Sequence, residues 1–321
     1  MTTTTPPRSG AATSADTSPP RRRDRWYRWD VRLSPYLYIA PYFVIFGVFG
    51  LYPLLYTAWV SLQERALNDP EGAHWVGLDN YTRLLFHDPY FWNAMGNTIS
   101  LWLLTTIPQI LLALWIAQLL NRRLRSRTLF RMGVLLPNVT SVAAVTLIFA
   151  QLFGRDFGLI NLALDAFGLG KIDWVAGTAS SQVALAVMVV WRWTGYHALV
   201  FLAAMQAIPG SVYEAATIDG ASARQQFWHI TIPMMRSAIV FATIISTTGN
   251  MRLLAEPLLF AGGVASGGSD RQFQTGALYL YETAFRQFDF GYGSAIAMLL
   301  LIAILLVTGV NYLVTRRIRT D

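Results

Sequence analysis

Six stretches of this 321-residue chain are apolar over lengths near or above the roughly 20 residues that a helix needs to cross a bilayer. They cover about 36–62, 93–120, 132–153, 181–208, 237–261 and 291–314. Hydrocarbon offers no water to backbone N–H and C=O groups, and a helix bonds them within its own segment. The sequence therefore predicts an all-α membrane protein with six transmembrane helices. Composition agrees: charged residues make up 13% of the chain, against roughly 25% in a soluble domain. The 11 Trp, 14 Tyr and 18 Phe suit the two membrane interfaces, where aromatic rings gather. Prolines 35, 41, 53 and 108 fall in or beside spans, a placement that membrane helices tolerate. Pro137 is expected to kink the third span.

Residues 1–34 are rich in Thr, Ser, Pro and Ala and show no apolar period, so this segment is expected to be a disordered tail. The apolar run that follows is too long for a cleaved leader, and it is read as an uncleaved first span. The net charge of +7 raises the question of nucleic acid. The positions of the charges answer it. With both termini in the cytoplasm, 17 of the 25 Lys and Arg lie in segments on the cytoplasmic side. The positive-inside rule expects that asymmetry, and the basic borders of the spans can meet anionic lipid headgroups. No nucleic-acid partner is needed. Cysteine is absent, which removes disulfides and thiolate chemistry. The four His (His74, His87, His197, His229) show no i, i+3 or i, i+4 pairing, so no metal site is expected.

The loop 209–235 between the fourth and fifth spans carries the densest local signal. Pro209-Gly210 ends the fourth span. Ser211 and Glu214 stand as S-x-x-E and Ser222 and Gln225 as S-x-x-Q, two capping-box spacings separated by the turn dipeptide Asp219-Gly220. Pro233 stops or redirects the second helix. The expectation is a helix, a turn and a helix on the cytoplasmic side.

The residues Glu214, Ala215, Ala216, then Gly220, then Ile230, Ile232 and Pro233 resemble the E-A-A-x3-G-x9-I-x-L-P loop of binding-protein-dependent ABC importer permeases, with Ile232 in place of Leu. Gly77-Leu78-Asp79-Asn80-Tyr81 and Gly158-Leu159-Ile160-Asn161 resemble motifs of the sugar branch of that family, in the first and second external loops. The stretches TLFRMGVLLPNVTSVAAV, WRWTGYHALVFLAAMQAIP, EPLLF, RQFQT and FDFGYGSAIA are similar to its disaccharide and oligosaccharide importers, cellobiose and β-glucoside permeases among them.

The resemblance covers about residues 36–317 and implies a type I ABC importer permease (MetI-like) fold over 35–317. It implies a multi-pass protein of the bacterial cytoplasmic membrane that forms half of a sugar path as a heterodimer with a second permease. It also implies a dimer of ABC ATPase subunits that carry ATP and Mg, and an extracellular sugar-binding protein. The chain itself would bind no cofactor. The loop with Glu214, Ala215, Ala216, Asp219, Gly220, Ile230, Ile232 and Pro233 would be where the ATPase pushes. Permeases for chitobiose, lactose, arabinose or glycerol phosphate are the alternative cargo classes, and a secondary transporter is a more distant one.

Polar residues inside spans are the default candidates for a transport path. Arg192 lies deep in the fourth span, with Trp193, Tyr196 and His197 beside it; Arg192 and Tyr196 share a face at i, i+4. In the fifth span Ser246 and Asn250 share one face, and Arg252 and Glu256 share another as a possible ion pair or gate. Counted from the loop glutamate, Arg192, Trp193, Tyr196, Ser246 and Asn250 fall on positions that line the sugar site in maltose-type permeases. Tyr196, Ser246 and Asn250 also match those positions in residue type. Gly170-Lys171-Ile172 lacks the remaining residues of a phosphate-binding loop, with Asp165 where its first Gly belongs. An intramembrane enzyme would need paired carboxylates, a His cluster or a Ser/His set at membrane depth, where Glu256 is the one carboxylate, so the chain is expected to be a transporter subunit with ATP hydrolysis on a separate one.

Overall fold

The computed structural model describes residues 22–66, 72–122 and 125–317, with the side chains of 22–33 and 314–317 outside that description. The expected disorder of residues 1–21 lies outside it too. The described residues up to Tyr56 and those from Thr57 onward are two separate compact units. The first holds α1 (Arg22–Phe46), a π-helical turn (Gly47–Leu51) and the start of α2 (Tyr52–Val60). Helix α1 begins at Arg22, so residues 22–34 are helical where disorder was expected. No Gly or Pro occurs between Arg22 and Ser34, and propagating an existing helix costs far less than nucleating one. Pro35 and Pro41 sit within the helix.

The second unit opens with a two-residue hairpin pairing β1 (Gln63–Glu64) with β2 (His74–Trp75). Then come α3 (Asp79–Phe86) and the long α4 (Pro89–Leu120). Asp88 caps α4, its carboxylate accepting from the N–H groups of Tyr90 and Phe91. The same carboxylate accepts from Tyr279 Oη at 2.5 Å and Tyr292 Oη at 2.7 Å. Burial, and then the hydrogen bond to Asp88, push the Tyr279 phenol well above its ordinary value.

The third span is two helices, α5 (Arg127–Val139) and α6 (Val142–Leu152), bent by 89°. The break falls at Thr140 and Ser141, both extended, and Pro137 lies inside α5. A short α7 (Leu159–Ala166) leads to α8 (Thr178–Gln206), the most deeply packed span. The motifs around α3 and α7 act as loop staples. Asn80 is buried and donates to the carbonyls of Ser61 and Gln63. Asn161 donates to the carbonyls of Arg155 and Ile172 and accepts from Ile172 N and Trp174 Nε1. Nearby, backbone N–H donation from Ala176 holds the Asp173 carboxyl below its usual range; Val175 N–H and Arg155 add to this against a smaller burial effect.

After α8 come α9 (Gly210–Ile218), α10 (Ala223–Gln226), a π-helical turn (Phe227–Thr231), α11 (Ile232–Met234) and α12 (Arg236–Asn250). The α10–α11 segment meets α12 at 68°. The fifth span, expected to run unbroken to 261, ends at Asn250; α13 (Ala255–Phe260) starts afresh after a turn. Pro257 explains this. Within a continuous helix it would forfeit the bond to Leu253 O, whereas in the first turn of α13 no such bond is due. α14 (Gly276–Tyr281), a last π-helical turn (Glu282–Arg286) and α15 (Phe290–Arg317) complete the described residues. Among the described residues four helices are long and apolar enough to cross a membrane, or up to six if each bent pair is one span.

Helices α4 and α8 form the seam of the second unit. At one end Ser100 Oγ donates to Gln182 Oε1 at 2.5 Å, and Gln182 Nε2 donates to Asn97 Oδ1 at 2.9 Å. Helix α5 crosses α8 so closely that a Cβ added to Gly195 would lie 1.8 Å from the carbonyl oxygen of Val134. Only Gly permits that approach. Gly195→Ala is therefore expected to destabilise the fold by about 1–3 kcal/mol. Gly249→Ala, where an added Cβ meets nothing within 4 Å, serves as a neutral control. Thermal unfolding in detergent decides: equal melting temperatures for the two variants would contradict the close crossing.

Candidate functional site

Two groups of the predicted residues are gathered by the fold: a helix–turn–helix loop at one end of α8, and polar side chains inside the bundle. In the loop, α9 ends in a Schellman arrangement. Ala221 N donates to Ala216 O at 2.9 Å and Gly220 N to Thr217 O at 3.1 Å, with Gly220 at φ +79°. This is why Gly is required four residues after Ala216. The second capping box forms as expected: Ser222 Oγ accepts from Gln225 N, and Gln225 Oε1 accepts from Ser222 N at 2.8 Å. The first does not. Pro209 is the N-cap of α9, so Ser211 lies inside the first turn and Glu214 closes no box.

Glu214, Ala215, Asp219 and Gly220 are exposed, and Ala216 is half-buried. Glu214 makes no side-chain hydrogen bond or ion pair among the described residues. Ile218 next to it is 86% exposed, and Trp228 is 57% exposed. The loop thus presents a carboxylate and bare apolar side chains while its turn is tied by backbone and capping bonds. Gln226 Nε2 donates to Thr217 Oγ1 at 3.0 Å and to Ala221 O at 3.1 Å. The Tyr213 and Thr231 hydroxyls meet at 2.9 Å. These bonds fasten α9 to the second arm. Ile230 and Ile232 are half-buried and Pro233 occupies the first turn of α11. Met235, directly after, is fully buried among Ala113, Phe201, Met205 and Ala242, so the loop is rooted in α4, α8 and α12.

Inside the bundle, Gln109 of α4 is the hub. Its Nε2 lies 2.9 Å from His197 Nδ1, and its Oε1 accepts from Ser246 Oγ and Asn250 Nδ2, both at 3.2 Å. Asn250 Nδ2 also donates to Thr106 Oγ1 at 3.0 Å and to Ser246 Oγ at 3.1 Å. All five side chains are buried. Ser246 and Asn250 do share a face, as their spacing predicts. Thr106 and Gln109 were missed because they sit inside an apolar run; the polar set Thr105-Thr106-x-x-Gln109 was the available signal.

The expected pair of Arg252 with Glu256 is not present. Arg252 is exposed and its Nε donates to Thr248 O, whereas Glu256 Oε1 is 3.4 Å from Arg192 Nη1. The i, i+4 argument assumed one helix through 252–256, and the chain leaves α12 before it. The Arg192 guanidinium also lies over the Trp193 ring at 5.5 Å, and Trp193 meets Tyr196 edge-on at 6.2 Å. Arg192, Trp193 and Tyr196 are half-buried, unlike the sealed Gln109 cluster. Arg192 Nε is shielded and has no hydrogen-bond partner.

Comparison with known proteins places this geometry. The arabinooligosaccharides transport system permease protein AraP of Halalkalibacterium halodurans is 34% identical over 281 residues, covering 86% of each chain. The lactose transport system permease protein LacF of Rhizobium radiobacter is 34% identical, over 88% of this chain and 94% of that one. The trehalose/maltose transport system permease protein MalF of Thermococcus litoralis is 32% identical, over 89% and 94%. Among solved structures, a chain of the bacterial alginate ABC transporter superposes with a TM-score of 0.77 at 19% identity, covering 92% of this chain and 98% of that one. That likeness speaks for the fold. Residues 109–320 match the family described as the binding-protein-dependent transport system inner membrane component. The chain belongs to that family of ABC transporter permeases.

Proposed function

We propose that this chain is the membrane subunit of an ATP-driven importer of a di- or oligosaccharide, coupled to a separate ATPase through the loop 209–235. The observation that carries the coupling is the construction of the loop. Its arms are fastened to each other, Glu214 and Ile218 face outward, and Met235 anchors it in the packed core. A push on such a body reaches α8 and α12 without being absorbed by the loop. The ATPase dimer supplies ATP and Mg, and a second permease completes the path as a heterodimer. An extracellular binding protein delivers the sugar. Both termini face the cytoplasm of a bacterial cell.

For the path we assign Arg192, Trp193, Tyr196, Ser246 and Asn250. Trp193 and Tyr196 offer ring faces to sugar C–H groups, and the Arg192 guanidinium lies over the Trp193 ring beside them. Asn250 and Ser246 reach sugar only if the Gln109 network opens. Glu256 holds Arg192 in place and acts as the gate element in the role first given to the Arg252 pair. The carbohydrate class rests on the cargo named for the relatives, which include arabinooligosaccharide, lactose and trehalose/maltose permeases. Cellobiose and related β-glucosides are the cargo we would test first, with arabinooligosaccharides and lactose as the competing choices.

Two outcomes test this reading. Gly220→Val, which forces a β-branched residue to φ +79°, and Glu214→Ala are expected to cut uptake of labelled sugar at least about tenfold. The chain should still insert and assemble, and wild-type uptake in both variants would refute the coupling role. Reporter fusions at either terminus should be active only on the cytoplasmic side; an active periplasmic reporter at the C-terminus would overturn the orientation.

A further inference from the structure

Helices α4, α5 and α8 border a groove of about 670 Å3 on the second unit. Its walls are almost entirely apolar, with Leu112, Ile116, Pro137, Val187 and Trp191 among them. The path residues do not line it. On α4 it runs from Leu104 to Ile116, a rise of roughly 18 Å and so a little over half of a ~30 Å hydrocarbon core. Gly133 leaves the groove open along α5, since a Cβ added there meets nothing within 4 Å. Walls of this kind select alkyl chain, not sugar.

The charge around this groove is one-sided. Arg122 and Arg125 precede α5, and Arg127 and Arg131 lie on it. The sequence has no Asp or Glu between Asp88 and Asp156. Among the described residues neither Arg127 nor Arg131 forms an ion pair. Arg131 is half-buried, and its Nε is shielded from solvent with no hydrogen-bond partner. Arg127, Arg131 and Val134 follow at i, i+4 and i+7 on one side of α5, and Val134 is a wall of the groove. Arg131 and Arg127, neither of them compensated by an acidic partner, therefore lie about one and two turns along α5 from Val134, a wall of the alkyl-lined groove.

We propose that this groove is a binding site for an anionic phospholipid, whose acyl chain lies along α4 and α8 and whose phosphate is held by Arg127 and Arg131. Basic pockets between membrane helices take anionic headgroups, and a guanidinium offers phosphate two parallel N–H donors. Both halves of the site are needed: a free phosphate has no use for the groove, and an apolar helix has none for the arginines. Bound there, the lipid would brace α5 against α8 at the Gly195 crossing.

The test uses the full chain, purified and delipidated, then titrated with phosphatidylglycerol or phosphatidylcholine of identical acyl chains and read by native mass spectrometry and melting temperature. Phosphatidylglycerol is expected to be retained at about tenfold lower concentration, given the attraction of each basic residue to an anionic headgroup. Arg127→Gln with Arg131→Gln should erase the preference while weak retention of both lipids persists. Gly133→Leu, which fills the groove, should reduce retention of both. Melting temperatures without lipid confirm that the variants are folded. Equal retention of the two lipids by the unaltered chain would overturn the proposal, as would a preference that survives the double variant or retention unaffected by Gly133→Leu. So would photocrosslinking to the second permease from a benzophenone probe attached to Gly133→Cys in the assembled complex, which would put a protein helix in the groove.

Discussion

The hydrogen bonds around Gln109 are what the second unit is built on. One amide on α4 meets His197 of α8 on one side and Ser246 and Asn250 of α12 on the other. In a bilayer, apolar surface gives little reason for helices to associate, because lipid tails are as apolar as the helices themselves. Close packing and interhelical hydrogen bonds must do the work, at roughly 1 kcal/mol or less per bond. A hub that bonds three helices adds such terms and also fixes which faces meet. Around it Ala113, Ala117 and Ala198 bring the backbones close, and Met235 locks the loop to the same cluster. The fold at this point is a polar core jacketed by small residues.

The coupling role proposed for the loop 209–235 depends on that anchoring. A lever transmits force only if its own bonds hold and its root is fixed. The Schellman turn at Gly220, the Ser222 capping box, and the side-chain bonds of Gln226 and Tyr213 meet the first condition. Burial of Met235 meets the second. In the proposed coupling, a push carried along α8 would reach the neighbourhood of Arg192, whose partner Glu256 belongs to the separate short helix α13. A displacement of α8 relative to α13 would stretch that pair directly. The Gln109 network is sealed among buried side chains and the Arg192 cluster is half-buried, so in the proposed path the Arg192 cluster is reached first and the network must open for Ser246 and Asn250 to follow.

The four long apolar helices were legible from hydropathy because length and apolarity are what hydropathy measures. The breaks were not. Thr140 and Ser141 are ordinary residues whose extended backbone cuts the third span, and a window average passes over them. In the fifth span Pro257 was visible in the sequence, and its meaning was the restart at Ala255. Overlooking that restart led to Arg252 being paired with Glu256, since i, i+4 spacing holds only inside one helix. Ser222 and Gln225 were readable because a capping box is local. Ser211 and Glu214 have the same spacing, but Pro209 sets the start of α9 two residues too early for it to close. Gly220 was recognised by resemblance, and the backbone at φ +79° supplies its reason. Thr106 and Gln109 were hidden because two polar residues hardly lower the mean of a 32-residue apolar helix.

The central claim is that the loop moves as one body rooted in the core. Paired spin labels at Ile218→Cys and Trp228→Cys, read by electron–electron distance in the assembled transporter, report the loop's interior. A second pair, at Ile218→Cys and Leu112→Cys, reports its position against α4. Between the nucleotide-free and ATP-bound states, the first distance should stay constant and the second should shift. A change in the first, with the second unchanged, would mean that the loop deforms under load and cannot be the lever described.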